Sequence, residues 1–163
     1  MTDTTNNPQM RKGFTMIELI FVIVIIGILA SVAIPRLAAT RDDAKVATSL
    51  SEVGMILRET TAYYTANGHF ENTASDMSNI SDFNASASGD VDGAGGKVFY
   101  YSTPKNGQGT EKCVKYTINN IDGNVTIEAD NGTGNVCKGV KNSNTFLQDL
   151  NGTHLVGGSN VSF

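Results

Sequence analysis

The sequence is poor in the residues that most often carry catalysis or bind nucleic acids. Its 163 residues include two histidines and two cysteines, and its 16 acidic residues outnumber 12 basic ones, which gives a formal net charge of −4. This balance gives no overall basic footprint for nucleic acid, so we expect no specific nucleic-acid site, while a local basic patch stays open. His69 and His154 stand in no catalytic motif, and no nucleophile elbow or phosphate loop occurs, so we expect no enzyme.

Charge is also missing from one long segment near the N-terminus. Residues 19–35 carry no charged side chain and are almost wholly apolar up to residue 34. The 22 residues 14–35 would span about 33 Å as a helix, which is enough to cross a bilayer. A basic pair precedes the run, and no cluster of positive charge follows it, so the positive-inside rule places the N-terminus in the cytoplasm.

Glu18 lies at the start of this apolar run. A charged side chain inside a membrane helix costs roughly a few kcal/mol or more, so a charge there usually has a functional role. The alternative is that Glu18 merely sits among the lipid headgroups. A functional carboxylate would need a partner.

Residues 11–35, RKGFTMIELIFVIVIIGILASVAIP, resemble the N-terminal signature of type IV pilins and of type II secretion pseudopilins. The shared features are a basic pair, Gly13, Phe14, an acid at the fifth position from Phe14, the apolar run and Pro35. The resemblance implies that a prepilin peptidase cuts between Gly13 and Phe14 and methylates the new Phe14 amine. Residues 1–13 would then be a leader peptide.

The resemblance also implies a partner for Glu18, namely the Phe14 ammonium group of an adjacent subunit. Opposite charges about 4 Å apart attract by several kcal/mol at an intermediate dielectric, which offsets part of their desolvation. Residues 14–39 would be both the transmembrane helix and the filament core. The implied partners are copies of the same chain, the prepilin peptidase, the membrane, and an inner-membrane assembly platform with its ATPase.

Gly27 and Pro35 are the residues of the apolar run that can disturb a regular helix backbone. Proline removes a hydrogen bond and crowds the preceding turn, so we expect the helix to kink or loosen before Pro35. Two interpretations stay open: a static kink at the membrane exit, or a stretch that melts when a filament extends.

A second helix pattern follows over residues 40–67. Apolar residues recur there at spacings of three and four, as in an amphipathic helix, and Asn67-Gly68 supplies its C-terminal signal. The apolar stripe comprises Val46, Leu50, Val53, Leu57, Thr60 and Tyr64.

The remainder predicts a loop, a sheet and a tail. Residues 68–96 lack either period and are crowded with turn residues. Four β-branched or aromatic runs then predict an antiparallel sheet over 97–140, with a tail over 141–163. The expected fold class is α+β and pilin-like: a long N-terminal helix, transmembrane in its first half and amphipathic in its second, packed on a small C-terminal sheet. The predicted strands are 97–102, 112–118, 125–129 and 136–140.

Cys113 and Cys137 both fall in predicted strands of a domain that we expect to be exported. Oxidising surroundings favour a disulfide there. Redox pairs are more typically Cys-x-x-Cys, and two cysteines alone make a poor metal site. The pair therefore predicts a structural disulfide that contributes about 3 kcal/mol.

Two weaker patterns concern ligands and modification. Asp90 and Asp92 alternate as in calcium loops, but the full pattern is absent and Asp-Gly is common in turns, so we expect no cofactor and keep calcium as an alternative. Asn84, Asn124 and Asn151 each lie in Asp-x-Asn-x-Ser/Thr, which resembles the acceptor sequence of bacterial N-linked glycosylation. Turn chemistry uses the same residues, and both interpretations stay open.

These features together predict a structural subunit of a type IV filament, such as a pilus for adhesion, motility or DNA uptake. The alternative is a pseudopilin of a type II secretion system, and a membrane-anchored exported binding protein is a further one. Before assembly we expect a single span of the bacterial inner membrane. After assembly we expect a periplasmic or cell-surface filament.

Overall fold

The structure is a computed structural model and describes residues 13–106 and 109–156. The chain divides into two compact units, Met1–Ala39 and Thr40–Phe163. Helix α1 (Met16–Asn67) contributes residues to both units. The predicted leader peptide, apart from Gly13, and residues 157–163 of the predicted tail lie outside the described residues.

The first unit supplies the apolar part of α1. The α-helix continues through Gly27 and Pro35 without a break. Space around Gly27 is open, since a Cβ atom built there would meet nothing within 4 Å. Ser31, one turn before Pro35, donates a hydrogen bond from its hydroxyl to the Ile28 carbonyl at 2.7 Å. This bond gives a helix carbonyl near the proline a side-chain partner.

The second unit is built around a five-stranded antiparallel sheet. Its strands follow the chain in simple order, β1-β2-β3-β4-β5, so each is joined to its neighbour in sequence. This order leaves β1 and β5 at the two edges. The strands are β1 (Phe83–Gly89), β2 (Lys97–Pro104), β3 (Thr110–Asn119), β4 (Asn124–Ala129) and β5 (Gly152–Leu155).

The predicted stripe of α1 packs against one face of this sheet. Val53 and Thr60 of the stripe are fully buried, and so is Ile56, which the prediction did not include. The other stripe residues pack partly buried on the same core: Val46, Leu50, Leu57 and Tyr64. The Tyr116 hydroxyl of β3 donates to the Val53 carbonyl at 3.1 Å, which satisfies a buried polar group. Gly68, at φ +77°, ends the helix, as predicted. The predicted α+β, pilin-like architecture is confirmed.

The segment 68–96 is more ordered than the sequence predicted. It contains a short helix, α2 (Ala74–Met77), and the edge strand β1. β1 reads FNASASG and has little strand propensity of its own. It forms because its backbone pairs with β2, in the register Phe83 to Tyr101, and because Phe83 is buried beneath it. Both causes are tertiary, and neither leaves a period in the sequence.

The predicted strand 136–140 is wrong, because this segment is helix α3 (Asn135–Lys141). Val136, Cys137 and Val140 are buried, and Val140 lies four residues after Val136 and three after Cys137, the spacings of a helix face. The Glu111 carboxylate accepts hydrogen bonds from the backbone of Thr133 at 3.0 Å and of Gly134 at 2.6 Å, just before the helix. These bonds satisfy the two backbone amides that precede the helix. In a strand, such amides would have bonded to a neighbouring strand instead.

The predicted tail also contributes to the domain. A π-helical turn (Phe146–Leu150) buries Phe146, and β5 then pairs with β4 in the register Asn124 to Leu155. The sheet therefore extends from residue 83 to residue 155 rather than over 97–140.

Candidate assembly site

Glu18 forms a capping box with Thr15 at the start of α1. The Glu18 carboxylate accepts hydrogen bonds from the Thr15 amide at 2.9 Å and from the Thr15 hydroxyl at 2.8 Å. In return, the Glu18 amide donates to the Thr15 hydroxyl oxygen at 3.3 Å. The two residues thus satisfy each other's free helix-terminal groups. Residues 13–15 precede the helix in non-helical conformation.

Thr15 was missed as a site residue by the sequence prediction. The signal was present, since Thr15-Met16-Ile17-Glu18 fits the Ser/Thr-x-x-Glu pattern that opens many helices. The prediction rested on the charge of Glu18 in an apolar run and did not use its three-residue spacing from Thr15. The structure therefore gives Glu18 a partner within its own chain, one residue away from the predicted cleavage point.

The apolar side chains behind this cap are exposed. Phe14 is 88% exposed, Ile26 is 58% exposed and Leu37 is 67% exposed. Across the described residues, one helix is long and apolar enough to cross a membrane, and its most apolar window is not buried. Exposed apolar area on this scale is unfavourable in water, and lipid or other protein must cover it.

The cysteines form the predicted disulfide. Cys113 on β3 and Cys137 on α3 are bonded, with their Cα atoms 5.4 Å apart, and both are fully buried. The prediction placed Cys137 on a strand, whereas the bond in fact joins the sheet to a helix. Lys141 also connects α3 to the segment after β4, because its ammonium group donates to the carbonyls of Asp130 at 2.9 Å and Gly132 at 2.7 Å.

The Asp90 and Asp92 carboxylates are occupied by protein donors. Asp90 accepts from the Asn72 side chain at 3.0 Å and from the Asp92 amide at 3.1 Å, and these bonds hold the pKa of Asp90 below its ordinary value. Asp92 accepts from the Asn120 side chain at 2.7 Å. Within residues 13–106 and 109–156, no group of three or more His, Cys, Asp or Glu side chains is arranged to hold a metal ion. The two carboxylates therefore hold the loop that carries them against the segments of Asn72 and Asn120.

The histidines are separated from each other and from the capping box in sequence. The His69 imidazole lies 3.1 Å from the exposed Glu71 carboxylate, which raises the pKa of His69. The His154 ring contacts the Leu150 carbonyl at 2.9 Å on the edge strand. Each ring therefore has a local structural partner.

A family model describes the N-terminal segment. The model of the prokaryotic N-terminal methylation motif matches residues 8–34, which include Gly13, Phe14, the capping box and most of the apolar run. The chain carries a prepilin-type methylation motif. The resemblance that the sequence suggested is therefore confirmed for this segment.

The chain is also similar to a pseudopilin. It is 33% identical over 63 residues to the type II secretion system core protein G of Escherichia coli (strain K12). The match covers 39% of this chain and 43% of that relative, so it spans less than half of either protein. No solved structure matches the chain significantly. Each match covers less than half of the chain, and neither distinguishes a pilus subunit from a secretion pseudopilin.

Proposed function

We propose that the chain is a structural, non-catalytic subunit of a type IV filament, made as a prepilin and cut between Gly13 and Phe14. The observation that carries the proposal is an exposed apolar helix that opens with a capped carboxylate inside a prepilin methylation motif. Lipid covers this helix while the subunit waits in the membrane. Other copies of the same helix cover it in the filament.

The carboxylate at the start of the exposed helix supports a polymer rather than a plain anchor. A plain anchor needs apolar length alone, and a carboxylate at its start would only add a cost. A polymer needs a device that selects one axial offset between identical helices. A buried or half-buried charge that is satisfied at one offset only can supply that selection.

Glu18 and Phe14 supply this device in three steps. In the uncut chain the Glu18 carboxylate is held on Thr15. Cleavage creates a positive amine on Phe14, next to Thr15. When a new subunit docks, the Glu18 carboxylate pairs with the Phe14 amine of its neighbour, and a subunit at the wrong offset leaves both charges unpaired. The capping box keeps the carboxylate at the helix start, where that amine must arrive.

A secretion pseudopilus is the second candidate. The similarity to the type II secretion system core protein G favours it. The same cleavage, the same helix packing and the same role for Glu18 serve either filament. The ATPase, platform and peptidase belong to the host machine in both cases.

The first test is the intact mass of the protein from its own cells, with peptide mapping. A chain that starts at methylated Phe14 is expected. An ordinary secretory signal would be cut at small residues near the end of its apolar run, such as Ala30-Ser31. A chain cut there, or one that starts at Met1, would contradict the proposal.

The second test separates charge from capping. Glu18→Gln removes the charge but keeps a side chain that can accept the Thr15 bonds, while Thr15→Val removes the side-chain cap and keeps the charge. We expect Glu18→Gln to be processed but absent from sheared filaments. Thr15→Val should still assemble, because the cap contributes only about 0.5–2 kcal/mol. Equal assembly of wild type and Glu18→Gln would rule out the register role.

A further inference from the structure

Six Asn-x-Ser/Thr triplets occur in the sequence, at Asn79, Asn84, Asn124, Asn131, Asn151 and Asn160. Three of them, at Asn84, Asn124 and Asn151, also have an aspartate two residues before the asparagine. We propose that Asn84 and Asn151 are N-glycosylated in the exported domain and that Asn124 is not. The inference rests on the export step of the proposed function, because the sugar donor must be met outside the cytoplasm.

The Asn151 segment presents all three recognition groups to solvent. Asp149, Asn151 and Thr153 are exposed, while Leu150 between them is buried. The asparagine lies between the π-helical turn and β5, outside any strand. Its backbone amide donates to the Phe146 carbonyl at 2.7 Å, but no side-chain hydrogen bond of Asn151 occurs to the described part of the chain. The amide nitrogen is therefore available to a transferase.

The Asn84 segment has the same alternation on the opposite edge of the sheet. Asp82 and Asn84 are exposed, Ser86 is half-buried, and Phe83 faces the core. Unlike Asn151, the Asn84 side-chain nitrogen donates a hydrogen bond, to the Ser81 carbonyl at 3.3 Å, and a transferase would have to displace this exposed bond. Asn84 lies on β1, which pairs with β2 alone among the strands. The ladder between these strands is irregular between Ala85 and Gly89. An edge strand has one row of free backbone groups, so an enzyme can bind its backbone without opening the sheet.

A groove beside Asn84 suits the first sugars of a glycan. It has a volume of about 390 Å³, and no charged side chain lines it. Hydroxyl and amide groups of Thr73, Ser78, Asn79 and Ser81 face it together with Asn84. Such neutral donors and acceptors match the hydroxyl groups of a saccharide.

Asn124 differs although its sequence pattern is the same. It lies on β4 and pairs with Asn119 on one side and Leu155 on the other. Both Asn124 and Thr126 are half-buried, whereas Asn151 and Thr153 are exposed. The Thr126 and Thr153 hydroxyls lie 3.0 Å apart, so this contact is common to both segments and burial is what distinguishes them. An enzyme that bound this segment in an extended path would have to break two ladders of backbone hydrogen bonds.

The transfer is balanced with one donor, a lipid-diphosphate-linked oligosaccharide. The asparagine side-chain nitrogen forms a bond to the anomeric carbon of the first sugar. The bond from that carbon to the diphosphate oxygen breaks, and the lipid diphosphate leaves with the electron pair. The amide nitrogen gives up one proton.

The test is peptide mapping of the protein purified from its own cells, with wild type and the variants Asp82→Asn and Asp149→Asn. In the wild type, saccharide mass is expected on the peptides of Asn84 and Asn151. Each variant should lose the modification at its own site and keep it at the other. The control is Asn79, which is exposed and lines the same groove as Asn84 but has Met77 in place of the aspartate.

Chains that start at Phe14 with bare Asn84 and Asn151 would overturn this inference and leave the filament proposal standing. Modification of Asn79 or Asn124 to the same extent as Asn84 would overturn it too, because acid and edge position would then not select the site. Chains that start at Met1 would instead overturn the filament proposal.

Discussion

The two units of the chain use apolar residues in opposite ways. In the first unit Ile26 is 58% exposed, whereas in the second unit Ile56 is fully buried. Both residues are isoleucines on the same helix, α1. The second unit has a sheet and a disulfide to cover its apolar stripe, while the described apolar side chains of the first unit are left to be covered by lipid or other protein. Residues of one helix thus contribute to a folded core in one unit and to an exposed apolar surface in the other.

The largest test of this comparison exchanges each isoleucine for alanine. Ile56→Ala should lower the free energy of unfolding of the second unit by about 2–5 kcal/mol, since it opens a cavity in the core. Ile26→Ala should change it by less than about 0.5 kcal/mol. The five tyrosines all lie within residues 63–116, so the tyrosine band of the near-ultraviolet circular dichroism spectrum, followed during urea unfolding in detergent, reports the second unit. Similar losses from both variants would break the comparison.

The disulfide is the next largest difference between the units. Replacing Cys113 and Cys137 by alanine should lower the free energy of unfolding by about 3 kcal/mol, because the closed loop no longer restricts the unfolded chain. Urea unfolding of the double variant measures this. Wild type treated with reductant is the control, and it should approach the variant. A loss within about 0.5 kcal/mol would show that the rest of the core holds α3 in place.

Two glycines sharpen the comparison at the level of single atoms. A Cβ atom on Gly139 would lie 2.5 Å from Val46 Cγ2, whereas one on Gly27 would meet nothing within 4 Å. Gly139→Ala should cost about 1–3 kcal/mol from overpacking, less about 1 kcal/mol gained in helix propensity. Gly27→Ala should raise the helicity of the micelle-bound subunit.

Urea unfolding measures the first glycine variant, and far-ultraviolet circular dichroism measures the second. Adding Val46→Ala should rescue Gly139→Ala, since it removes the clashing methyl groups. If Gly27→Ala lowered the stability of the isolated subunit, the space around Gly27 would not be open.

The smallest expected effect concerns the exposed pair His69 and Glu71. Because the folded pKa of His69 is raised by Glu71, the charged pair stabilises the fold below the ordinary histidine pKa of about 6.5, and this gain is lost as pH rises through the folded pKa. Melting temperatures of wild type and Glu71→Gln should therefore differ slightly at low pH and converge at high pH. A difference that persists above the folded pKa would point to a contact other than the ion pair.

Much of the fold was readable from the sequence. The apolar run, the stripe from Val46 to Tyr64 and the Gly68 stop gave α1, and β-branched and aromatic runs gave β2, β3 and β4. These elements carry their period in their own residues. β1, β5 and α3 were missed because their formation depends on a neighbouring strand, on Glu111 and on the disulfide.

The candidate site divides in the same way. Sequence alone marked Glu18, because a charge at the start of a long apolar run is rare and costly. The resemblance to prepilins marked Gly13 and Phe14. The sequence also determined which asparagines carry an aspartate two residues before them. The local Thr-x-x-Glu spacing already contained the capping partner of Glu18, Thr15. Only the tertiary structure decided that Cys137 lies on a helix, and that Asn124 lies within the sheet while Asn84 and Asn151 lie at its edges. The burial and strand pairing that decide these points depend on residues distant in the chain, and no local pattern records them.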